Sequence, residues 1–396
     1  TARFNLFAGP YSSFNATQLL KISTSQRVLD EPIADGHIQP SVETQDVTAL
    51  DHLVNVIRNK RADPALSSIM PMRSPLLWSE TAFNEIAEQP TLSASVPVPD
   101  PPPTRSMIEP YSELVISIVS GGLRVGKLME HLGSLAGSIS YKHVLGPRVH
   151  MFGTIQKRGF FIVTAAVDQP DMLLPLFHHN WGKSSMEVLV KVELLGGKEE
   201  TVLLGRFSMV CRDAFTQKAR PVPQLKMSTP EEQALFDMGA AHKERRGILA
   251  LRSLDRVLPS TEEAGELHQL YLNYGENSKR NYYTERVWME DTSLENCILM
   301  FAQERNVHSK IFGGYLMRLA CELGFTTAIL FGHRHVRFLS LDGLSFSHPV
   351  PIGSILRLRS KVALTAVSEK YPALVHTIVE ANVVDLATGT ELTAHQ

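Results

Sequence analysis

The apolar positions of this chain switch between two periods, and the switch happens twice in the same order. After a strand candidate at residues 115–119, residues 123–141 carry helical spacing, with Leu128, Leu132, Leu135 and Ile139 on one face. Strand candidates follow at 160–167, 185–195 and 201–211. In the middle one Met186, Val188, Val190 and Val192 alternate with other residues. From Val287 the order returns: a strand at 296–301, a helix at 315–331 opened by Gly313-Gly314, then strands at 336–341, 355–363 and 374–384. Gly126 matches Gly314, and Val167-Asp168 matches Leu341-Asp342. Such a tandem duplication predicts an α+β architecture, with each copy a long central helix wrapped by an antiparallel sheet.

The rest of the chain reads differently. Residues 1–104 are weakly periodic and end in Pro97, Pro99 and Pro101-Pro102-Pro103, a stiff linker. They are expected to be an extension that wraps a neighbouring surface. Residues 105–225 and 286–396 form the two repeated units, joined by a helical connector at 226–285. Its signals are Thr229-Pro230-Glu231-Glu232 and Ser260-Thr261-Glu262-Glu263, each an N-cap with a glutamate three positions on. The chain opens on Thr1, as mature mitochondrial proteins and trimmed proteins both do. Residues 391–396 read as the start of a last strand.

Composition narrows the class. With 396 residues, 43% hydrophobic and 20% charged, the chain is globular and long enough for at least two domains. A net charge of -2 makes nucleic acid at most a peripheral contact. No stretch reads as the roughly 20 apolar residues that cross a bilayer, so no membrane span is expected. Three cysteines, Cys211, Cys297 and Cys321, form neither a disulfide framework nor a metal motif, which points to a reducing compartment.

Several motifs occur in a fixed order: Arg105-Ser106-Met107, Val163-Thr164-Ala165 with Val167-Asp168, and Gly182-Lys183-Ser184-Ser185-Met186-Glu187-Val188. After them come Gln303-Glu304-Arg305-Asn306, Phe312-Gly313-Gly314, and Phe346, Pro349, Val350, Gly353 and Leu356. Over about residues 105–396 this resembles the acyl-coenzyme A thioesterase 9 and 10 group, mitochondrial double-hotdog enzymes. The resemblance implies a tandem hotdog fold, acyl-CoA as substrate, coenzyme A only as part of that substrate with no separate cofactor or metal, and a matrix location. It does not extend to residues 1–104.

The residues support a thioesterase site in part. A helix start offers free N–H groups and partial positive charge, and Gly313 and Gly314 would let a thioester oxygen approach them. The same glycines also suit tight packing. Asn306 matches a family residue that orients the water or carbonyl; it also suits a turn. Lys183, Ser184 and Ser185 lie where the resemblance places the coenzyme A phosphates, although a solvated strand start would look the same.

The acid is missing. In this family a carboxylate seven residues past the helix-opening glycine acts as base or nucleophile. Here those positions hold Gly133 and Cys321. Glu130, one turn before Gly133, is a substitute candidate; Glu322 points about 100° away from Cys321. Cys321 reads as a buried structural thiol rather than a nucleophile. His131 and His143 read as a polar-face residue and a helix-end cation. Losing a general base costs roughly 10²–10⁴-fold in rate. Two readings therefore stand. One is an acyl-CoA thioesterase with weak or lost activity, working as a homo-oligomer. The other is an inactive homologue serving as a structural subunit of a large mitochondrial assembly such as the mitochondrial ribosome.

Overall fold

The computed structural model describes residues 2–8, 18–23, 72, 103–118, 124–146, 158–171, 184–195, 200–230, 232–234, 236–237, 248, 251, 257–274, 287–367, 373–386 and 388–392. The strands are β1 (Ala2–Ala8), β2 (Gln18–Ser23), β3 (Thr104–Ser106), β4 (Leu114–Ile118), β5 (Phe160–Asp171), β6 (Ser185–Leu195), β7 (Glu200–Asp213), β8 (Gln224–Lys226), β9 (Leu294–Leu299), β10 (Val336–Ser345), β11 (Ile355–Ala366), β12 (Leu374–Val384) and β13 (Glu391–Leu392). Among the described residues the α-helices with full bounds are α1 (Val125–Leu145), α2 (Thr261–Tyr274) and α3 (Gly313–Gly332).

Both repeats share one antiparallel sheet, ordered β4-β2-β6-β7-β5-β10-β1-β12-β11-β9, with β13 beside β12. The seam is β5 against β10, where Val167 pairs with Leu344 and Ala166 with Ser345. α1 packs on β5, β6 and β7, α3 on β1, β10, β11 and β12, and the two helices pack on each other. The core lies between the helices and the sheet. Leu128, Leu132 and Leu135 of α1 are buried there with Val188, Val190 and Phe207, the face that the helical spacing predicts.

Two strands come from the segment read as an extension that wraps a neighbouring surface. β1 lies between β10 and β12, and β2 between β4 and β6. Short segments take these slots because unpaired ladder groups in a sheet interior would otherwise cost hydrogen bonds. Residues 9–17 and 97–102 lie outside the described residues.

The two connector caps take the expected form. Glu232 N–H donates to Thr229 Oγ1 at 3.2 Å, and Glu263 N–H donates to Ser260 Oγ at 3.2 Å. Ser260 N–H returns the bond to Glu263 Oε2 at 2.8 Å. α3 corrects one expectation: by length and composition alone it is apolar enough to cross a membrane. Its apolarity has another physical reason. Gly314, Met317, Ala320, Cys321, Gly324 and Ala328 are buried against α1 and the sheet.

Candidate functional site

The duplication is visible where the helices meet. Glu130 of α1 and Arg318 of α3 sit at matching positions of the two copies and form an ion pair at 3.3 Å. A Cβ on Gly126 would lie 3.3 Å from the Arg318 carbonyl, and one on Gly314 3.0 Å from the Glu130 carbonyl. The helices thus cross about a local pseudo-twofold axis, and each opening glycine lets the partner backbone come close. At Gly314 a side chain would also collide with the Phe312 ring.

Gly133 lies at the same crossing. A Cβ there would stand 3.3 Å from Gly314 Cα and 3.7 Å from Gly314 N, with Met317 Cε at 2.9 Å. Position 133 therefore borders the start of α3. The N-cap of α3 is Phe312, and no side chain caps this end. The first helical bonds from it are Tyr315 N–H and Leu316 N–H to the Phe312 carbonyl, at 3.0 and 3.2 Å. Gly313 and Gly314 carry the donors that a helix start leaves over.

Asn306 reaches the same place through its loop. Its Oδ1 accepts from His308 N–H at 2.8 Å and Lys310 N–H at 3.1 Å, and its own N–H donates to the Lys310 carbonyl at 2.7 Å. The turn and the site readings of Asn306 are thus compatible. With Oδ1 committed, the group it can offer is the Nδ2 donor pair.

These residues line one cavity of about 280 Å³. Gly133, Gly313, Asn306 and His308 lie on it, together with Thr164, Phe346 and Leu316; Arg212 and Lys310 are exposed cations on its lining. Among its described lining residues there is no carboxylate. Met72, from the N-terminal segment, also lines it. It seats in the notch left by Gly137, where a Cβ would fall 2.6 Å from Met72 Cε, and its carbonyl accepts from Val307 N–H at 3.3 Å.

The remaining candidates separate. Glu130 is not on the cavity lining; only 3% exposed, it is committed to Lys127 at 2.6 Å and Arg318 at 3.3 Å. A carboxylate engaged by two cations away from the cavity is poorly placed to act as a substitute base. Cys321 is buried, and burial pushes its thiol up to about 12, which keeps it protonated. His143 is buried with Nε2 on the Pro223 carbonyl at 2.9 Å, and burial lowers its pKa, so it is not the helix-end cation of the sequence reading. Ser185 opens β6 opposite Val210, a lining residue, and the Ser184 carbonyl accepts from Cys211 N–H at 2.9 Å. Lys183 lies outside the described residues.

Two residues absent from the sequence reading stand out, His308 and Tyr141. Tyr141 Oη meets His308 Nε2, and Ile162 N–H donates to the same Oη at 3.0 Å. The residues are 167 positions apart and share no motif.

A glycine-opened helix on an antiparallel sheet, meeting its own repeat across a cavity, defines the double-hotdog class of fold. Sequence comparison agrees. The chain is 34% identical over 293 residues to mouse "Acyl-coenzyme A thioesterase 9, mitochondrial", which covers 66% of this chain and 65% of that protein. It is 32% identical over 292 residues to the bovine protein of that name, with the same coverage. It is also 32% identical over 282 residues to "Acyl-coenzyme A thioesterase 2, chloroplastic" of Humulus lupulus, covering 66% and 62%. The match spans somewhat under two thirds of these relatives' length. The chain belongs to the acyl-coenzyme A thioesterase 9/10 family.

No family model matches. Solved structures that overlap include an apo-hexameric acyl-CoA thioesterase, 25% identical with TM-score 0.25, covering 32% of this chain and 79% of that one. The 12:0-ACP thioesterase from Umbellularia californica is 13% identical with TM-score 0.36, covering 67% and 83%.

Proposed function

We propose that the chain carries an acyl-CoA thioesterase site whose hydrolysis is weak or lost: acyl-CoA and water give fatty acid and CoA. One observation carries this. Asn306, the open end of α3 and position 133 converge on one cavity, and the position where the family resemblance expects an acid is a glycine. Helix N–H groups and Asn306 Nδ2 would polarise the thioester carbonyl as charge develops on its oxygen. The missing piece is a base to take the proton from water. Arg212 and Lys310 suit a phosphorylated ligand, and Lys183 to Ser185 is the second candidate for the phosphates. A mitochondrial location fits the names of the mammalian relatives; the hop relative is chloroplastic by name.

Release of free CoA thiol from short, medium and long acyl-CoA by the purified chain tests the reading. The expected rate is far below the ~10 s⁻¹ typical of enzymes. Turnover near that value would overturn the loss of activity.

The second reading, an inactive homologue within a large mitochondrial assembly, is favoured by Met72. A segment of the chain itself fills part of the cavity. Sedimentation of the native protein separates the two: a small homo-oligomer supports an enzyme, and a large particle supports a subunit.

A further inference from the structure

We propose that Met72 is the stop that sets acyl-chain length in this cavity, so that the site takes acetyl and propionyl thioesters of CoA and rejects longer chains. The inference rests on the thioesterase reading and names the substrate class within it.

Two glycines of α1, Gly133 and Gly137, lie one turn apart on the same face, and both line the cavity. The first borders the open start of α3, since a Cβ on it would stand 3.7 Å from Gly314 N. A thioester carbonyl that faces those N–H groups and Asn306 therefore lies beside Gly133. The second glycine seats Met72. A Cβ on Gly137 would fall 2.6 Å from Met72 Cε, 2.8 Å from Sδ and 3.0 Å from Cγ, so the methionine lies in the space that any other residue at 137 would take. The Met72 carbonyl accepts from Val307 N–H at 3.3 Å, next in the chain to Asn306. Met72 is thus held by α1 through its side chain and by the Asn306 loop through its backbone.

Polarity assigns the two directions that lead away from the carbonyl. Arg212 and Lys310 are exposed on the lining, which suits the charged CoA. Met72, Ile162 and Met209 line the cavity too, and all three are apolar and buried, which suits an acyl chain. Four residues along a helix advance about 6 Å. Carbon atoms in contact need about 3.5–4.0 Å between centres. From a carbonyl carbon level with Gly133 to a methionine tip level with Gly137, about 2 Å is then left for further carbon centres, enough for about one or two carbons. Butyryl is the first chain to press on Met72, and hexanoyl would have to displace it. Displacement is opposed because Met72 belongs to the main hydrophobic core and is only 6% exposed.

The test uses the full chain and CoA ketones in which CH2 replaces the thioester sulfur, in an acyl series from acetyl to octanoyl, with affinities read by calorimetry. In the wild type the acetyl and propionyl ketones should bind tightest, and hexanoyl roughly tenfold or more weaker. Met72→Ala should move the limit outward: butyryl and hexanoyl gain, about fourfold for each methylene newly taken in, while acetyl stays unchanged. Met72→Leu keeps the volume and should keep the wild-type limit. If Met72→Ala does not fold, Met72→Val carries the test with a smaller outward shift. Hexanoyl bound by the wild type as tightly as propionyl, or a limit unmoved in the folded Ala and Val variants, overturns the stop and leaves the thioesterase reading intact. An equal change at every chain length does the same, because it marks a merely structural methionine. Failure of all the ketones to bind the wild type removes the thioesterase reading, and the stop with it.

Discussion

Gly133 and Gly314 touch across the helix crossing so closely that a Cβ on the first would stand 3.3 Å from the Cα of the second. The position where the family resemblance expects an acid is thus also the contact that lets α1 and α3 approach. A glycine inside a helix costs roughly 1 kcal/mol relative to alanine. Its presence here goes with close packing of the two helices.

On the proposed reading, Gly133→Asp is expected to raise acyl-CoA hydrolysis, in part only. The new carboxylate would lie near Gly314 N and the Asn306 loop, where it can serve as base. Met317 Cε must move from 2.9 Å, which its flexible side chain allows; the Gly314 backbone must give by a few tenths of an ångström. Overpacking of this kind costs about 1–3 kcal/mol. Thermal unfolding and CoA thiol release, measured together, should show a lower Tm with a higher rate. An unchanged rate in a folded variant would mean that more than the acid is gone.

Asn306→Asp separates the two roles of that side chain. The aspartate keeps an acceptor for His308 N–H and Lys310 N–H, so Tm should change little. It loses the Nδ2 donors, so binding of a butyryl-CoA ketone analogue, in which CH2 replaces the thioester sulfur, should weaken roughly tenfold or more, as an anion now faces the carbonyl oxygen. Asn306→Ala should lose both, with a stability cost near 1–3 kcal/mol. Equal Tm losses in the two variants would reduce Asn306 to a turn residue.

His308 should also mark the pH dependence of stability. Its folded pKa is lowered, from the ordinary 6.5 to about 3, by burial. Between those values the unfolded chain binds the extra proton and the folded chain does not, so stability falls as pH drops below 6.5 and levels off near 3. Burial lowers His131 and His143 in the same direction. The difference between wild type and His308→Gln therefore isolates the residue. Denaturant unfolding at pH 7 and pH 4.5 should show a shallower loss in the variant; parallel losses would place the effect elsewhere.

Gly137→Ala is expected to evict Met72, whose Sδ and Cε lie 2.8 and 2.6 Å from the added Cβ position. If Met72 restricts the cavity, the ketone analogue should bind this variant several-fold more tightly. Met72→Ala should do the same, at a stability cost of about 2–5 kcal/mol for a buried methionine. Weaker binding in both would make Met72 part of the site's wall.

Much of this molecule was legible in the sequence. The strand at Leu374–Val384 has the bounds that its alternation predicts, and α3 extends the predicted 315–331 by two residues at its start and one at its end. These elements carry strong local periodicity. β1 does not: Phe4 and Leu6 alternate over too few positions, and their partners, near Leu341 and Val375, are more than 330 residues away. The site divides in the same way. Asn306 and Gly314 sit in two short motifs eight residues apart, and each could be picked out as a candidate by its own motif. The Tyr141–His308 contact and the seat of Met72 on Gly137 depend on the tertiary fold, which no local pattern encodes.

The place of β1 sets the order in which this protein can be completed. Its neighbours are β10 and β12, so β1 leaves the ribosome roughly 330 residues before either of its partners is made. At roughly 5–20 residues per second that wait is about twenty seconds or longer. Through it the nascent chain carries an unpaired β-segment able to add to the edges of other chains. A sheet closed by such distant pairing also pays loop-closure entropy late and folds slowly. The yield of native protein should therefore depend on the chaperones that shelter residues 2–8 during synthesis, a dependence that a variant with β1 relocated to the C-terminus would lose.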